Sequence, residues 1–248
     1  MNFTRIRNNI KRIIRCFKDV KYVYNDNAPI LSKVQYAALN VGAITSEQNG
    51  YYYNCIETEP DKEDVINRLR DYYGIIDKES ALETLEWLFH RGHSVYFEAI
   101  RPIISNSSNE FNVDVLLESE LDRSLTTYIS HIKESLEIIV DEQIIKGASE
   151  FKTLSIRAWD LSRLVLVARC CCDANYITEE QTWHYIMCAY DLAKEIYANW
   201  EEFAKGYIVG RCLWGGNDSA LFGIISIANG LLKDDNSPWM KYPLLQKC

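Results

Sequence analysis

Two arginines that bracket one aspartate could do chemistry in this sequence. Arg157, Asp160 and Arg163 are spaced three residues apart, so on a helix the carboxylate can reach either guanidinium. One interpretation is an ion-pair cluster that ties this helix to its neighbours. The other is a pocket for an anion or a phosphate group, in which Asp160 orients one guanidinium toward the ligand.

A second group of side chains with binding chemistry lies about fifty residues further along. Tyr207, Arg211 and Trp214 are spaced i, i+4 and i+7, so they share one helical face. Such a face could stack on and hydrogen-bond a planar anionic ligand, or it could be an aromatic–arginine packing seam. If Arg163 and Arg211 meet across the protein, the two groups form one pocket. The residues that would line this pocket are Asp160, Arg163, Tyr207, Arg211 and Trp214.

Histidine and cysteine spacing gives little support to a metal site. His90 and His93 are three residues apart, and His184 and Cys188 are four apart on one helical face. A structural zinc site needs four converging ligands, usually with paired Cys-x-x-Cys spacing, and the sequence contains no such pair. We therefore predict no metal and no cofactor, and we expect His184 and Cys188 to serve helix packing.

Motifs of covalent catalysis and of nucleotide binding are missing as well. The sequence has no Gly-x-Ser-x-Gly elbow, no Gly-x-x-x-x-Gly-Lys loop and no Gly-x-Gly-x-x-Gly fingerprint. Paired carboxylates at 179–180 and 201–202 fall at predicted helix starts, where they favour the helix dipole. These observations favour a protein that is not an enzyme.

Helical periodicity dominates the elements that must position these side chains. Few segments alternate with a period of two, so the sequence predicts an all-α or nearly all-α fold. We expect a multi-helix orthogonal bundle with at most a small β element. Asp77 and Thr178 are predicted N-caps, and Gly92 is a predicted left-handed C-cap. The predicted helices cover residues 31–41 (ending at Gly42), 61–73, 78–91, 113–145, 151–174, 179–197, 200–213 and 219–232.

Two of these helices carry further expectations. In the helix at 200–213, Gly206 and Gly210 lie four residues apart on one side, where they permit close approach of another helix. The helix at 219–232, which Asp218 is expected to cap, is apolar on nearly all sides. That composition predicts burial inside the protein.

The N-terminal segment has the cleanest amphipathic pattern. Over residues 3–20, six apolar side chains fall within an arc of about 100° on a helix. The segment either packs on the rest of the protein, or it serves as an arm for an anionic membrane surface or a separate partner. Basic residues occupy the opposite side: Arg5, Lys11, Arg12, Arg15 and Lys18.

Charge is unevenly distributed along the 248 residues. Residues 1–24 hold seven basic residues against one acidic residue, a net charge of +6, and the whole chain carries −8, so the remainder carries −14. An acidic body repels phosphate backbones, so nucleic-acid binding is not expected. No transmembrane segment or secretory signal is recognised, which predicts a cytoplasmic protein with mostly reduced thiols.

The chain divides into three predicted parts. Residues 1–30 form the basic amphipathic arm, residues 31–104 an N-terminal helical part and residues 113–248 a C-terminal helical part. A polar linker at 105–109 separates the two helical parts. We expect them to pack together as one globular unit.

Several segments resemble a family of bacterial proteins, the domain of unknown function 1266. The most specific is Ala-Trp-Asp-Leu-Ser-Arg at 158–163, followed by Tyr-Ile-Thr-Glu-Glu at 176–180 and Tyr-Ile-Val-Gly-Arg at 207–211. Further matching segments lie at 42–45, 85–88, 200–203 and 237–239, so the resemblance spans roughly residues 35–243. It implies a mostly helical, cytoplasmic bacterial protein and supplies no catalytic assignment.

Two functions follow as expectations. The first is a non-enzymatic helical module that binds a protein partner, as an adaptor or an antidote-like protein, through its acidic, tyrosine-rich surface. The alternative is an enzyme or ligand-binding protein that uses the arginine and aromatic pocket for an anion. Peripheral membrane contact through residues 3–20 is a third, weaker expectation.

Overall fold

The computed structural model describes residues 22–58, 61–105, 111 and 123–245, and within these ranges the protein is an all-α bundle. This confirms the predicted fold class. In place of a strand, the described residues show one isolated bridge, between Ser105 and Phe111. The helices are α1 (Lys33–Leu39), α2 (Ala43–Asn49), α3 (Lys62–Tyr73), α4 (Lys78–His90), α5 (Ser94–Ile104), α6 (Arg123–Asp141), α7 (Ala148–Thr153), α8 (Arg157–Asp173), α9 (Glu179–Ile196), α10 (Trp200–Gly215), α11 (Ala220–Lys233) and α12 (Pro238–Lys241).

Helix α8 is the centre of the bundle. It packs against α9 and α10 from the C-terminal part of the chain and against α2, α3 and α4 from the N-terminal part. Twelve of its 17 residues are buried, because neighbours surround it on every side. A helix with this environment needs apolar residues all round, and its sequence supplies them apart from a few charged positions.

The predicted caps are confirmed. The Asp77 carboxylate accepts the Ser80 amide proton in a capping box, and Thr178 does the same with Gln181. Gly92 follows α4 with a φ of +60°, the left-handed conformation that glycine adopts most easily. The residues that cap α4 and α9 could therefore be predicted from the sequence.

Two predicted helix boundaries are wrong. The helix expected at 151–174 is two helices, because residues 154–156 turn between α7 and α8. Gly42 does not stop the first helix: a 3₁₀ turn, Asn40–Gly42, leads directly into α2. A Cβ atom at Gly42 would lie 2.8 Å from the Val165 side chain, so this glycine provides close contact with α8 instead.

The predicted burial of the helix at 219–232 holds for one face of α11. Leu221, Ile224 and Ile225 are buried, whereas the side chain of Phe222 is 54% exposed and Ser226 is also exposed. Asp218 accepts the Ala220 amide proton at 3.0 Å, although the N-cap residue itself is Ser219. Apolar composition alone therefore did not reveal that one side faces outward.

A buried arginine fixes the irregular loop at 51–58. The Arg169 guanidinium donates to the carbonyl oxygens of Tyr52, Cys55 and Glu57, and its Nε donates to that of Ile56. These bonds satisfy backbone oxygens that no helix could pair. The loop is thereby attached to α8 from more than 110 residues away in sequence.

Distant parts of the chain also meet near its C-terminus. The Asn40 side-chain amide donates to the Pro238 carbonyl at 2.8 Å, and the Trp239 indole donates to the Asn40 carbonyl at 2.8 Å. The Tyr22 hydroxyl lies 3.4 Å from the Gly230 carbonyl, at the end of α11. These buried bonds join positions about two hundred residues apart.

Three predictions concern residues that lie partly or wholly outside the described ranges. The first is the segment 3–20, with Arg5, Lys11, Arg12, Arg15 and Lys18. The second is the linker at 105–109, of which only Ser105 is described, and the third is the beginning of the helix predicted at 113–145, up to residue 122. Within the described ranges, every helix is too short or too polar to cross a membrane.

Candidate functional site

Asp160 holds the turn between α4 and α5. Its carboxylate is fully buried and accepts the backbone amide protons of His93 at 2.8 Å and Ser94 at 3.0 Å. These amides belong to the N-terminus of α5, where negative charge is favoured. A Cβ atom at Gly92 would lie 2.2 Å from the Asp160 carboxyl carbon, so the carboxylate fits only because that residue is glycine.

Arg157 completes the same connection from the other side of the turn. Its guanidinium donates to the Leu88 carbonyl at 3.1 Å, to the carbonyls of Phe89 and Arg91, and to the Asp160 carboxylate at 3.4 Å. Its positive charge thus lies at the C-terminal end of α4, where a cation is favoured. Asp160 and Arg157 therefore form hydrogen bonds mainly with backbone groups and with each other.

Arg163 lies in a different environment. Its guanidinium carbon lies 5.1 Å from the centre of the Tyr73 ring and 5.3 Å from that of the Trp159 ring, within the range of a cation–π contact. Its Nη1 lies 3.1 Å from His93 Nδ1, an arrangement in which the guanidinium donates to the imidazole nitrogen. No described carboxylate forms an ion pair with Arg163, and the side chain is half-buried.

Arg211 is more deeply placed. Only 4% of the residue is exposed; its Nη2 pairs with the Asp218 carboxylate, and its guanidinium carbon lies 5.2 Å from the Trp214 ring centre. Its Nη1 is buried and has no hydrogen-bond partner among the described atoms. Trp214 itself is 46% exposed, so it reaches the surface beside Arg211.

Trp159 connects these groups, and it is one of two residues, with Tyr73, that the predicted pocket did not include. The centre of its ring is 5.1 Å from that of the Tyr207 ring and 6.1 Å from that of the Trp214 ring. The guanidinium carbon of Arg163 lies 5.3 Å from the same ring centre. Its indole Nε1 is buried without a described partner, and the residue is 7% exposed. We call the set of Tyr73, Arg163, Trp159, Tyr207, Arg211 and Trp214 the Trp159 cluster.

Close helix packing creates this cluster. A Cβ atom at Gly210 would lie 2.4 Å from Trp159 Cβ, and one at Gly206 would lie 2.4 Å from the Ser155 carbonyl oxygen. Gly210 therefore admits α8 at short range, and Gly206 admits the turn at 154–156 that precedes it. The missed residue also had a signal, because Trp159 lies four positions before Arg163 on one helical face.

Arg163 and Arg211 both influence the ionisation of the Tyr207 hydroxyl. Burial raises the pKa of the Tyr207 hydroxyl well above its ordinary value, and the neighbouring Tyr73 raises it further, whereas the charges of Arg163 and Arg211 both lower it. Both guanidinium groups are therefore within electrostatic reach of one hydroxyl. The hydroxyl donates to the Gln48 side chain at 3.1 Å.

Four of the five predicted pocket residues thus come together, and one does not share their contacts. Arg163, Tyr207 and Trp214 contact Trp159, and Arg211 contacts Trp214. Asp160 is engaged with the α5 backbone instead. The cluster offers two cations, flat aromatic faces and two buried donors without described partners. Such a set can accept a carboxylate or phosphate group and stack a planar ring beside it.

Other candidate residues show no comparable arrangement. His90 pairs with Glu86 on the surface, and His184, expected to pack, is exposed with its Nε2 3.8 Å from Cys188 Sγ. In the described part of the chain, no three His, Cys, Asp or Glu residues are arranged to hold a metal ion. A shallow depression of about 410 Å³ lies elsewhere, against Cys172 and the N-terminus of α9.

Comparison with known proteins gives one match. The model of the family described as "Protein of unknown function (DUF1266)" matches residues 68–244, which is more than half of the chain and includes all of α8 and α10. No curated protein and no solved structure shows significant similarity to the chain.

Proposed function

This chain belongs to the DUF1266 family, and we propose that it binds an oxyanion, a carboxylate or phosphate group, at the Trp159 cluster. The observation that carries the proposal is a pair of unpartnered donors in a cationic setting. Trp159 Nε1 and Arg211 Nη1 are both buried and lack described partners, in residues that are less than 10% exposed. A buried donor without an acceptor is unfavourable, so each of the two donors would gain from an acceptor oxygen supplied by a ligand.

Arg163 supports the same proposal from the surface side. Its charge is not compensated by any described carboxylate, yet two aromatic rings fix its position. A guanidinium held in this way loses little conformational freedom when it binds an oxyanion. Trp214, half-exposed between Trp159 and solvent, offers a ring face on which a planar part of the ligand can stack.

We expect removal of the Arg163 charge to weaken ligand binding about tenfold or more, since a hydrogen bond to a charged group contributes about 1.5–3 kcal/mol. The probes are inorganic phosphate, benzoate and adenosine monophosphate. Phosphate tests the anionic group alone, whereas the other two add a planar ring to it. Thermal shift and isothermal titration calorimetry compare the unchanged protein with Arg163→Gln. Arg163→Lys keeps the charge without the planar stack and should lose part of the affinity.

Lys33→Gln is the matched control, because Lys33 is exposed at the start of α1, a helix that carries no residue of the Trp159 cluster. This variant removes the same charge from the protein and should bind as the unchanged protein does. A folded protein that responds to none of the three probes would contradict the proposal. Equal losses in Arg163→Gln and Lys33→Gln would do so as well, because binding would then depend on net charge alone.

A second candidate function is interaction with a basic protein partner, as an adaptor or an antidote-like protein. It is favoured by the net charge of −14 outside residues 1–24, which would attract a cationic surface. Such a complex would weaken as the salt concentration rises.

A further inference from the structure

Helix α11 exposes a face that a surface helix does not ordinarily have. From Ala220 to Leu232 the helix contains no charged residue, although one side of it is open to solvent. Surface helices usually place charged side chains on that side. The exposed side instead presents Phe222, which is 54% exposed, next to Gly223 and Ser226.

Small residues run down the middle of this face. Gly223, Ser226 and Gly230 are spaced so that they lie above one another on the helix, with Phe222 and Ile227 on either side. A Cβ atom at Gly223 or Gly230 would meet nothing within 4 Å, so packing among the described residues does not require either glycine. Glycine in a helix interior is unfavourable, and such a shallow groove suits close approach of another helix.

Tyr22, which follows the segment 3–20 in the chain, contacts the C-terminal end of α11. The Tyr22 side chain is buried, and its hydroxyl lies 3.4 Å from the Gly230 carbonyl and 3.3 Å from an Asp234 oxygen. The Tyr22 side chain, two positions after residue 20 in the chain, therefore lies beside the C-terminal part of α11. A helix over residues 3–20 would be about 27 Å long, and the 14 residues of α11 span about 21 Å, so one could cover the other.

We propose that residues 3–20 pack along the exposed face of α11, parallel to it. The apolar side of this segment (Phe3, Ile6, Ile10, Ile13, Ile14 and Phe17) would cover Phe222 and Ile227. Charge at the C-terminal end of α11 favours the same placement. The segment is basic, and this end carries Asp234 and Asp235 against Lys233 alone.

The test is hydrogen–deuterium exchange of residues 3–20 in the full-length protein. In the unchanged protein, these amides should exchange at least tenfold more slowly than the unstructured rate. In Ser226→Arg, which places a long cation in the middle of the groove, that protection should be lost. Ser226 is exposed, so the substitution should leave the far-UV circular dichroism of the bundle unchanged.

Ser130→Arg is the matched control, because it makes the same substitution at an exposed position of α6 and should leave the exchange of residues 3–20 unaltered. Unprotected amides in the unchanged protein would overturn the proposal. So would protection that survives Ser226→Arg, since the segment would then pack elsewhere. A dimer in sedimentation analysis that Ser226→Arg dissociates, with residues 3–20 unprotected, would assign the face to a second copy. Unprotected amides that become protected only on phosphatidylglycerol vesicles would assign the segment to a membrane.

Discussion

At the scale of single residues, the most consequential group is a carboxylate that stabilises two helices at once. Asp160 neutralises the N-terminus of α5, and through Arg157 it is connected to the C-terminus of α4. A buried charge of this kind is tolerated because three donors surround it. Asp160 therefore ties α8 to the α4–α5 turn, one helical turn from Arg163 and next to Trp159, which packs against α10.

Asp160→Asn should lower the free energy of unfolding by about 3 kcal/mol, the usual effect of removing one partner from a buried charged network. The amide keeps the size of the side chain but retains one acceptor oxygen for three donors. Urea denaturation measures the difference. Asp71→Asn, at an exposed ion pair with Arg70, serves as the comparison and should change stability by less than about 1 kcal/mol. Similar losses in both variants would contradict the network.

At the scale of helices, the sequence predicted the caps well and the breaks poorly. Asp77 and Thr178 act within four residues of their partners, so local sequence contains the whole signal. The break between α7 and α8 depends on Tyr197, whose hydroxyl donates to the Ser155 carbonyl at 2.9 Å and accepts the Ala158 amide proton at 2.7 Å. That hydroxyl lies about forty residues further along the chain, so the helical periodicity of residues 151–174 carries no sign of the break.

The candidate site follows the same rule. The spacing of Tyr207, Arg211 and Trp214 placed them on one face correctly, because a single helix carries all three. The position of Trp159 between Arg163 and Arg211 depends on how α8 crosses α10, which is set by Gly210 and by tertiary packing. Asp160 was included in the predicted pocket because of its spacing from Arg163. Its backbone partners lie at the start of α5, more than sixty residues earlier in the chain, where local spacing gives no sign of them.

Tyr197→Phe should lower the free energy of unfolding by about 1–3 kcal/mol, since the buried Ala158 amide and Ser155 carbonyl would both lose their partner. Chemical denaturation of the variant measures this loss. Tyr72→Phe removes a hydroxyl from an exposed tyrosine and should alter stability by no more than about 0.5 kcal/mol. If the two substitutions proved equivalent, the hydroxyl would not be what fixes the α7–α8 junction.

At the scale of the whole molecule, buried thiols and phenols make stability sensitive to alkaline pH. Burial raises the pKa of Cys170 and of Cys212 to about 12, from an ordinary value of 9.0. Burial likewise raises the pKa of Tyr53 and Tyr207 above the ordinary value of 10.0. Between pH 9 and pH 12 the folded protein therefore holds more protons than the unfolded chain.

The free energy of unfolding should thus fall as pH rises above 9, by at most about 1.4 kcal/mol per pH unit for each buried thiol. Urea denaturation at pH 7, 9 and 10 follows the decline. Cys212→Ala removes one such group, so its stability should decline less steeply over the same range. A free energy of unfolding that stays constant from pH 7 to pH 10 would show that these thiols ionise in the folded state as freely as in the unfolded chain.

The bonds between Asn40 and residues 238–239 also bear on when the protein can finish folding. Asn40 is synthesised about two hundred residues before the carbonyl and the indole that pair with it. Until Trp239 has been added, the buried amide of Asn40 keeps water as its partner, and the helices around it cannot close. These two contacts can therefore form only after residues 238 and 239 have left the ribosome.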